Sequence, residues 1–371
     1  MIVVILSSMA TLGTIYYALG LNEHGFSNLL RFITAYRFVQ TRYVGATDDT
    51  KLIDSAIDGM VKSLGDPHSN YLDPEMYKML MEQTQGSFGG IGVIMGQGKD
   101  NSIRIVSVME DSPGQKAGLA EGDQIMAVDG TSVDELPFDQ VAAHVRGEAG
   151  TNVVLTIMRD GQQMDFTITR DNIKLKTVGH EMLDDGIGYI QIASFSEDTA
   201  KEFTDAYTDL QNNGMKGMII DLRNDPGGLL TACVDIAKQI VPKGTIVSIT
   251  DKDGNTETYT SDLAETKYPI VVLINKNSAS ASEILAGALQ DTGAAELVGT
   301  TSYGKGSVQT ILPMSGEDAV KLTIAKYYTP SGRSIDGTGI TPDVQVDMDE
   351  SASSDIQLAK AIEILKQKLS Q

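Results

Sequence analysis

The chain has 371 residues, 29 Lys and Arg against 50 Asp and Glu, and a formal net charge of −21. That length supports two or three domains with a sizeable core, and the acidic balance argues against nucleic acid or an anionic membrane surface as a partner. The single cysteine, Cys233, excludes an intramolecular disulfide, and the four histidines form no Cys/His cluster of metal-site spacing, so neither a metal nor a cofactor is expected.

Residues 1–20 carry no charged side chain. A 20-residue helix reaches ~30 Å, enough to cross a bilayer core. The run therefore reads as a membrane anchor or as the apolar part of a signal peptide, with Ala18-Leu19-Gly20 as a weak small-x-small cleavage site. A buried soluble helix is the plainer alternative. Arg31, Arg37 and Arg42 all follow the run, so charge sets no orientation, and the missing basic lead suggests a truncated or misplaced start. Residues 21–85 read as an N-terminal helical region. Leu52-Ile53, Ala56-Ile57, Met60-Val61 and Leu64 recur at helix spacing, Gly65-Asp66-Pro67 breaks the run, and a further helix is expected after Asp73-Pro74. No catalytic grouping appears there, and His68 reads as a turn residue.

Residues 86–172 change character. Gly89-Gly90-Ile91-Gly92-Val93 leads into a strand, 103–108 is another, and Ser112 to Leu119 reads as a turn with a short helix. A strand ending at Asp129-Gly130, a helix over 138–145, and strands 153–158 and 164–169 joined through Asp160-Gly161 follow. With its Gly-Leu-x-x-Gly-Asp-x-Ile run, this order resembles a PDZ domain of the bacterial protease type. The resemblance implies that an extended peptide C-terminus lies beside a strand, its carboxylate held by Gly89, Gly90, Ile91, Gly92 and Val93, with 138–145 as the other wall.

From 173 to 345 strands and helices alternate. A strand at 188–192, a helix at 199–212 and a buried strand at 218–223 lead to Asn224-Asp225-Pro226-Gly227-Gly228 and a helix over 229–240. Strand, Gly-Gly, helix is a place where backbone N–H groups can meet an anion, although a tight turn alone explains it equally well. The apolar run Pro269 to Ile274 then precedes Ser278-Ala279-Ser280-Ala281-Ser282-Glu283, which reads as a helix start. Ser280-x-x-Glu283 is also a capping box that needs no chemistry. Later, Gly304-Lys305-Gly306 places one lysine between glycines at the mouth of a strand that continues to Gln309. A serine at a helix start lies among unpaired N–H groups at the positive end of the dipole, and a neutral lysine nearby could take its proton. Residues 346–371 close the chain with a helical segment.

Asp221-Leu222-Arg223-x-x-x-Gly227-Gly228, Ser278-Ala279-Ser280-Ala281-Ser282-Glu283-Ile284 and Gly304-Lys305-Gly306-x-x-Gln309 together resemble the carboxyl-terminal processing peptidases. The resemblance runs from about residue 29 to the end. It implies an α/β protease core of mixed sheet and helices with crotonase-like β-α repeats, and a PDZ domain inserted ahead of it. It implies Ser280 as nucleophile, Lys305 as general base and Gln309 as the residue orienting the lysine. The Ala281 amide and one from Gly227 or Gly228 are the expected oxyanion donors. A glutamine suits its place because it can hydrogen-bond an amine without charging it, as a carboxylate would. The family further implies an extracytoplasmic, often membrane-anchored endopeptidase, secreted if residues 1–20 are cleaved, that acts near the C-termini of unfolded or C-terminally exposed proteins. It is commonly oligomeric and gated by its PDZ domain, where a regulatory partner could also bind.

Three other readings compete. Ser302-Tyr303-Gly304-Lys305 is a literal S-x-x-K, but glycines flank the lysine and no S-D-N or K-T-G accompanies it. A Ser-His-Asp hydrolase lacks G-x-S-x-G, and His24, His68, His144 and His180 all lie away from any such elbow. A non-catalytic PDZ peptide-binding scaffold has no need of Ser280, Lys305 and Gln309 together.

Overall fold

The computed structural model describes residues 23–98, 101–348 and 354–370, so the apolar segment 1–20 lies outside the described residues. Contacts divide the chain into two units, one formed by residues up to 74 together with 311–322, the other by 75–310 with 323 onward. The first unit carries helices Glu23–Arg42 and Asp49–Lys62. Asp48 caps the second helix by accepting from the Lys51 N–H at 3.1 Å. The N-terminal region is not helical throughout. Asn70–Leu72 forms a short strand paired antiparallel with Ala319, Val320 and Lys321, and the Tyr71 hydroxyl donates to Asp318 at 2.9 Å. Its pairing partner lies far along the chain, beyond the reach of any local pattern.

In the second unit, helix Pro74–Gln85 leads to a two-stranded ribbon, Ser87–Gly90 against Asp171–Lys174, through which the chain enters and leaves the PDZ domain. The PDZ sheet has the order Val93–Gln97, Ile103–Val108, Gln124–Val128, Asn152–Arg159, Gln162–Thr169. Val153, Leu155 and Ile157 are fully buried on one face, the period-2 pattern of a half-buried strand. Asp160 and Gly161 turn the hairpin with φ of 50° and 78°, which a primed turn requires. Helix Phe138–Val145 packs Val141 and Val145 into this core. Val93–Gln97 is an edge strand, so one row of its backbone groups can accept an added strand.

The protease core is a six-stranded sheet in the order Val178–Leu183, Ile187–Ile192, Gly217–Asp221, Ile270–Ile274, Ala295–Gly299, Val344–Gln345. The first pair is antiparallel and the rest are parallel. Every residue of Gly217–Asp221 and Ile270–Ile274 is buried, as expected of parallel strands covered on both faces. Helices Thr199–Asn212, Leu230–Ile240 and Ala281–Asp291 pack in the larger cluster, and Ile356–Leu369 packs with the other face. This is the mixed α/β architecture anticipated from the sequence. The Arg223 guanidinium spans Asp221 at 2.6 Å and Asp355 at 2.7 Å, and Asp355 caps the closing helix. Tyr189 donates to the same Asp221 at 2.7 Å. The end of the Gly217–Asp221 strand is thereby fixed just before the turn that carries Gly227 and Gly228.

Candidate active site

After Ile270–Ile274 the chain turns sharply and the helix Ala281–Asp291 begins, with Ser280 at its N-cap. Ser280 has φ 57° and ψ −115°, a conformation an L-residue rarely takes and one that costs ~1–3 kcal/mol. The surroundings impose it. Ser278 Oγ donates to Leu222 O at 2.7 Å and accepts from the Asn275 N–H at 2.9 Å. The Ala279 N–H and Ser282 Oγ both donate to Asp225 O, each at 3.0 Å. Ser278 and Ser282 are fully buried, whereas Ser280 between them is half-buried.

The Gly-Gly turn lies directly against this elbow. A Cβ on Gly227, whose φ is 91°, would lie 2.8 Å from both Ala281 N and Ser280 Cβ, so no larger residue fits. A Cβ on Gly228 would lie 2.0 Å from Phe195 O. The Gly227 N–H donates to Asp225 Oδ1 at 2.8 Å. That bond engages the Gly227 amide, which leaves Gly228 of the two glycines expected from sequence. Gly228 and Ala281 are the positions whose amides have no hydrogen bond among the described residues. Asp225 itself is fully buried, its Oδ2 has no partner among the described residues, and burial pushes its carboxyl up to about 7 against the opposing pull of the Gly227 N–H.

The lysine loop is held to the elbow by its backbone. The Tyr303 N–H donates to Ser278 O at 3.0 Å, and Ser302 Oγ accepts from the Ile340 N–H at 2.7 Å. The glycines beside Lys305 are demanded by close approach: a Cβ on Gly304 would lie 2.8 Å from Gly339 N, and one on Gly306 2.6 Å from Asp336 N. Glu283 joins loop and elbow. Its Oε2 accepts from the N–H groups of Ser280 and Lys305, both at 2.9 Å, and its Oε1 from Ser302 Oγ at 2.6 Å and the Gly304 N–H at 2.7 Å. Tyr327, also buried, sets its hydroxyl between Ser280 O at 3.2 Å and Lys305 O. Burial and then the Glu283 charge push its phenol well above the usual range, so it stays a neutral donor.

Lys305 and Gln309 are both half-buried. Gln309 lies on strand Ser307–Pro313, and its Nε2 donates to Ser307 Oγ at 2.9 Å and Thr323 Oγ1 at 3.2 Å. With the amide N–H groups so engaged, the side chain's other polar atom is a carbonyl oxygen, an acceptor suited to an amine. In the PDZ domain, Gly89 and Gly90 pair with Asn172 and Asp171 in the ribbon, and a Cβ on Gly89 would lie 1.9 Å from Gly147 O. Ile91 is buried in the PDZ core, the Gly92 carbonyl accepts from the Met109 N–H, and Val93 opens the edge strand. Sequence reasoning saw Glu283 only as a helix cap and did not single out Asp225 or Tyr327. The Ser-x-x-Glu spacing was the one available signal, and it could not report partners some 20 residues downstream. Among the described residues no group of His, Cys, Asp and Glu is arranged to hold a metal ion.

A strained serine between a parallel strand and a helix, closed by a Gly-Gly turn and a glycine-flanked lysine loop, with a PDZ domain ahead of it, is the architecture of a serine-type peptidase. The profile of peptidase family S41 matches residues 186–346, that of the activating protease CtpB N-terminal domain 18–76, and that of the PDZ domain 104–159. The chain belongs to the carboxy-terminal processing proteases. It is 43% identical over 335 residues to the carboxy-terminal-processing protease of Bartonella bacilliformis, covering 88% of this chain and 76% of that one. It is 42% identical to the carboxy-terminal processing protease CtpA of Bacillus subtilis, over 86% of this chain and 69% of that one. Among solved structures, the photosystem II D1 C-terminal processing protease superposes with a TM-score of 0.51 at 29% identity, covering 91% of this chain and 96% of its own. A putative S41 protease from Bacteroides fragilis shares the fold at 16% identity, with a TM-score of 0.55 over 90% and 97% of the two chains.

Proposed function

We propose that the protein is a Ser-Lys endopeptidase that cleaves extracytoplasmic proteins at or near their C-termini. Neutral Lys305 takes the Ser280 Oγ proton as the oxygen attacks the scissile carbonyl carbon. The Ala281 and Gly228 N–H groups receive the developing oxyanion. Collapse of the tetrahedral species breaks the C–N bond, and the leaving amine takes the proton back from Lys305. Water then hydrolyses the acyl-enzyme by the same proton path. Gln309 orients the lysine. The observation that carries this reading is Ser280 itself: of three neighbouring serines it alone is half-exposed, on strained backbone, beside the Gly-Gly turn. The test is incubation with an unfolded protein bearing an apolar C-terminus, followed by mass spectrometry of the fragments. Intact substrate after prolonged incubation would return the reading to a non-catalytic PDZ scaffold.

The same proposal has the PDZ edge strand hold the substrate C-terminus and gate the distant serine, in a homo-oligomer open to a regulatory partner at the PDZ domain. Amidating a peptide substrate's C-terminus should then slow its cleavage, and equal rates for acid and amide would remove the gating idea. Anchorage with the catalytic part outside the cytoplasm rests on residues 1–20. Among the described residues no helix is long and apolar enough to cross a membrane.

A third expectation concerns Gln309. Gln309→Glu keeps the size but adds a carboxylate, and an opposite charge within ~4–6 Å of an amine favours its charged form by ~1–3 pKa units. The acidic limb of the pH–rate profile should move to higher pH, and by more than in Gln309→Ala. A profile for Gln309→Glu that overlays the parent's would show that this side chain does not act on the base.

A further inference from the structure

We propose that Glu283 is the positioning residue that sets Ser280 against Lys305, an inference that rests on the Ser-Lys reading. Its carboxylate is fully buried on the first turn of the Ala281–Asp291 helix. A carboxylate offers about four acceptor sites, and here all are used: two by Ser302 and Gly304, two by Ser280 and Lys305. One oxygen, Oε2, therefore touches the backbone of both the nucleophile and the base, at 2.9 Å each. No other side chain bonds to the amides of both residues among the described hydrogen bonds. Tyr327 completes the clamp from the acceptor side, at the carbonyls of the same two residues.

A helix cap would need only the Ser280 contact. The three remaining bonds run to a loop that joins a different strand, so capping does not account for them. Burying a carboxylate is costly unless its hydrogen bonds are made, and this one has made them with the two segments whose separation decides whether a proton can pass. Holding reacting groups within a fraction of an ångström is worth orders of magnitude in rate. The bond to the Ser280 N–H also helps to hold that residue at its positive φ.

The test compares E283Q, E283D and S302A, with S280A in parallel. Turnover is expressed per folded protein, counted from the amplitude of the cooperative unfolding transition, so that loss of folded protein lowers the site count and not the rate per site. E283Q sets an NH₂ against two donors whichever way the amide lies. Its kcat per site should fall about 100-fold with KM held within about threefold. E283D keeps the charge but is one methylene shorter, so it cannot reach elbow and loop together and should fall comparably. S302A removes one donor and leaves the Ser280 and Lys305 bonds in place, so its loss should be clearly smaller, about fivefold.

E283Q with kcat per site within about fivefold of the parent overturns the inference. If E283Q fails to fold, E283D decides, and an E283D value equal to that of S302A overturns it. An inactive S280A beside a fully active E283Q would remove this inference and leave the Ser-Lys reading standing. Turnover by S280A would remove both.

Discussion

Ser280→Ala should lower turnover by about 10⁴-fold or more while leaving the fold intact. The substitution deletes one half-buried oxygen at a helix start, and alanine meets the same backbone strain there as serine does. Ser278→Ala and Ser282→Ala should behave differently, because both hydroxyls hold buried backbone groups. Loss of the Ser278 hydroxyl strands the Asn275 N–H and leaves the Leu222 carbonyl only the longer bond from the Asp225 N–H at 3.3 Å, and loss of the Ser282 hydroxyl removes one of two donors from Asp225 O. Each should cost ~1–3 kcal/mol of stability, Ser278→Ala more than Ser282→Ala. Denaturant melts and fragment mass spectrometry on the three variants separate these effects. A dead Ser278→Ala or Ser282→Ala beside a Ser280→Ala enzyme that still turns over would place the nucleophile elsewhere.

The parts of this molecule that sequence made legible are those whose cause is local. Val153, Leu155 and Ile157 alternate because a half-buried strand has a period of two, and Asp160-Gly161 marks its turn through backbone conformation alone. The buried runs 217–220 and 270–274 carry no polar side chain because helices cover both faces. Strands Val178–Leu183, Gly244–Asp251, Ala295–Gly299 and Ala319–Tyr328 went unread for the opposite reason. Gly244–Asp251, for example, pairs with residues 325–328, and that pairing decides its state more than its own composition.

The site divides along the same line. Ser280, Lys305 and the Gly-Gly turn announce themselves by residue type and spacing. Glu283 does not, because its role lies in contacts with Ser302, Gly304 and Lys305 that only the folded chain creates. The sequence left Gly227 and Gly228 as equals because the acceptor that engages the Gly227 amide is the side chain of Asp225, two residues earlier, in an Asx-type turn.

Asp225→Asn should stabilise the protein at neutral and alkaline pH and cost ~1–3 kcal/mol near pH 4, where no ionisation offsets its unpartnered NH₂. Asp225 is fully buried, and of its two oxygens only Oδ1 has a donor among the described residues. Burial raises its carboxyl from an ordinary value near 4 to about 7. A group whose pKa is raised on folding favours the folded state fully while it is protonated in both states, below about pH 4. That contribution is lost as the pH climbs through about 7, because the unfolded chain ionises first and the folded chain must then hold the charge. The difference amounts to about 4 kcal/mol between pH 4 and pH 8. Asparagine keeps an oxygen for the Gly227 N–H and never ionises, so it escapes the loss, although its unpartnered NH₂ returns ~1–3 kcal/mol of it at every pH. The unfolding free energy of the variant relative to the parent should therefore rise from pH 4 to pH 8 in denaturant titrations. Because the Gly227 contact survives, the elbow and its turn should keep their geometry and the variant should still cleave substrate. Parallel stability curves for parent and variant across that range would mean that Asp225 does not carry a buried charge, and that its carboxyl finds a partner or a proton throughout.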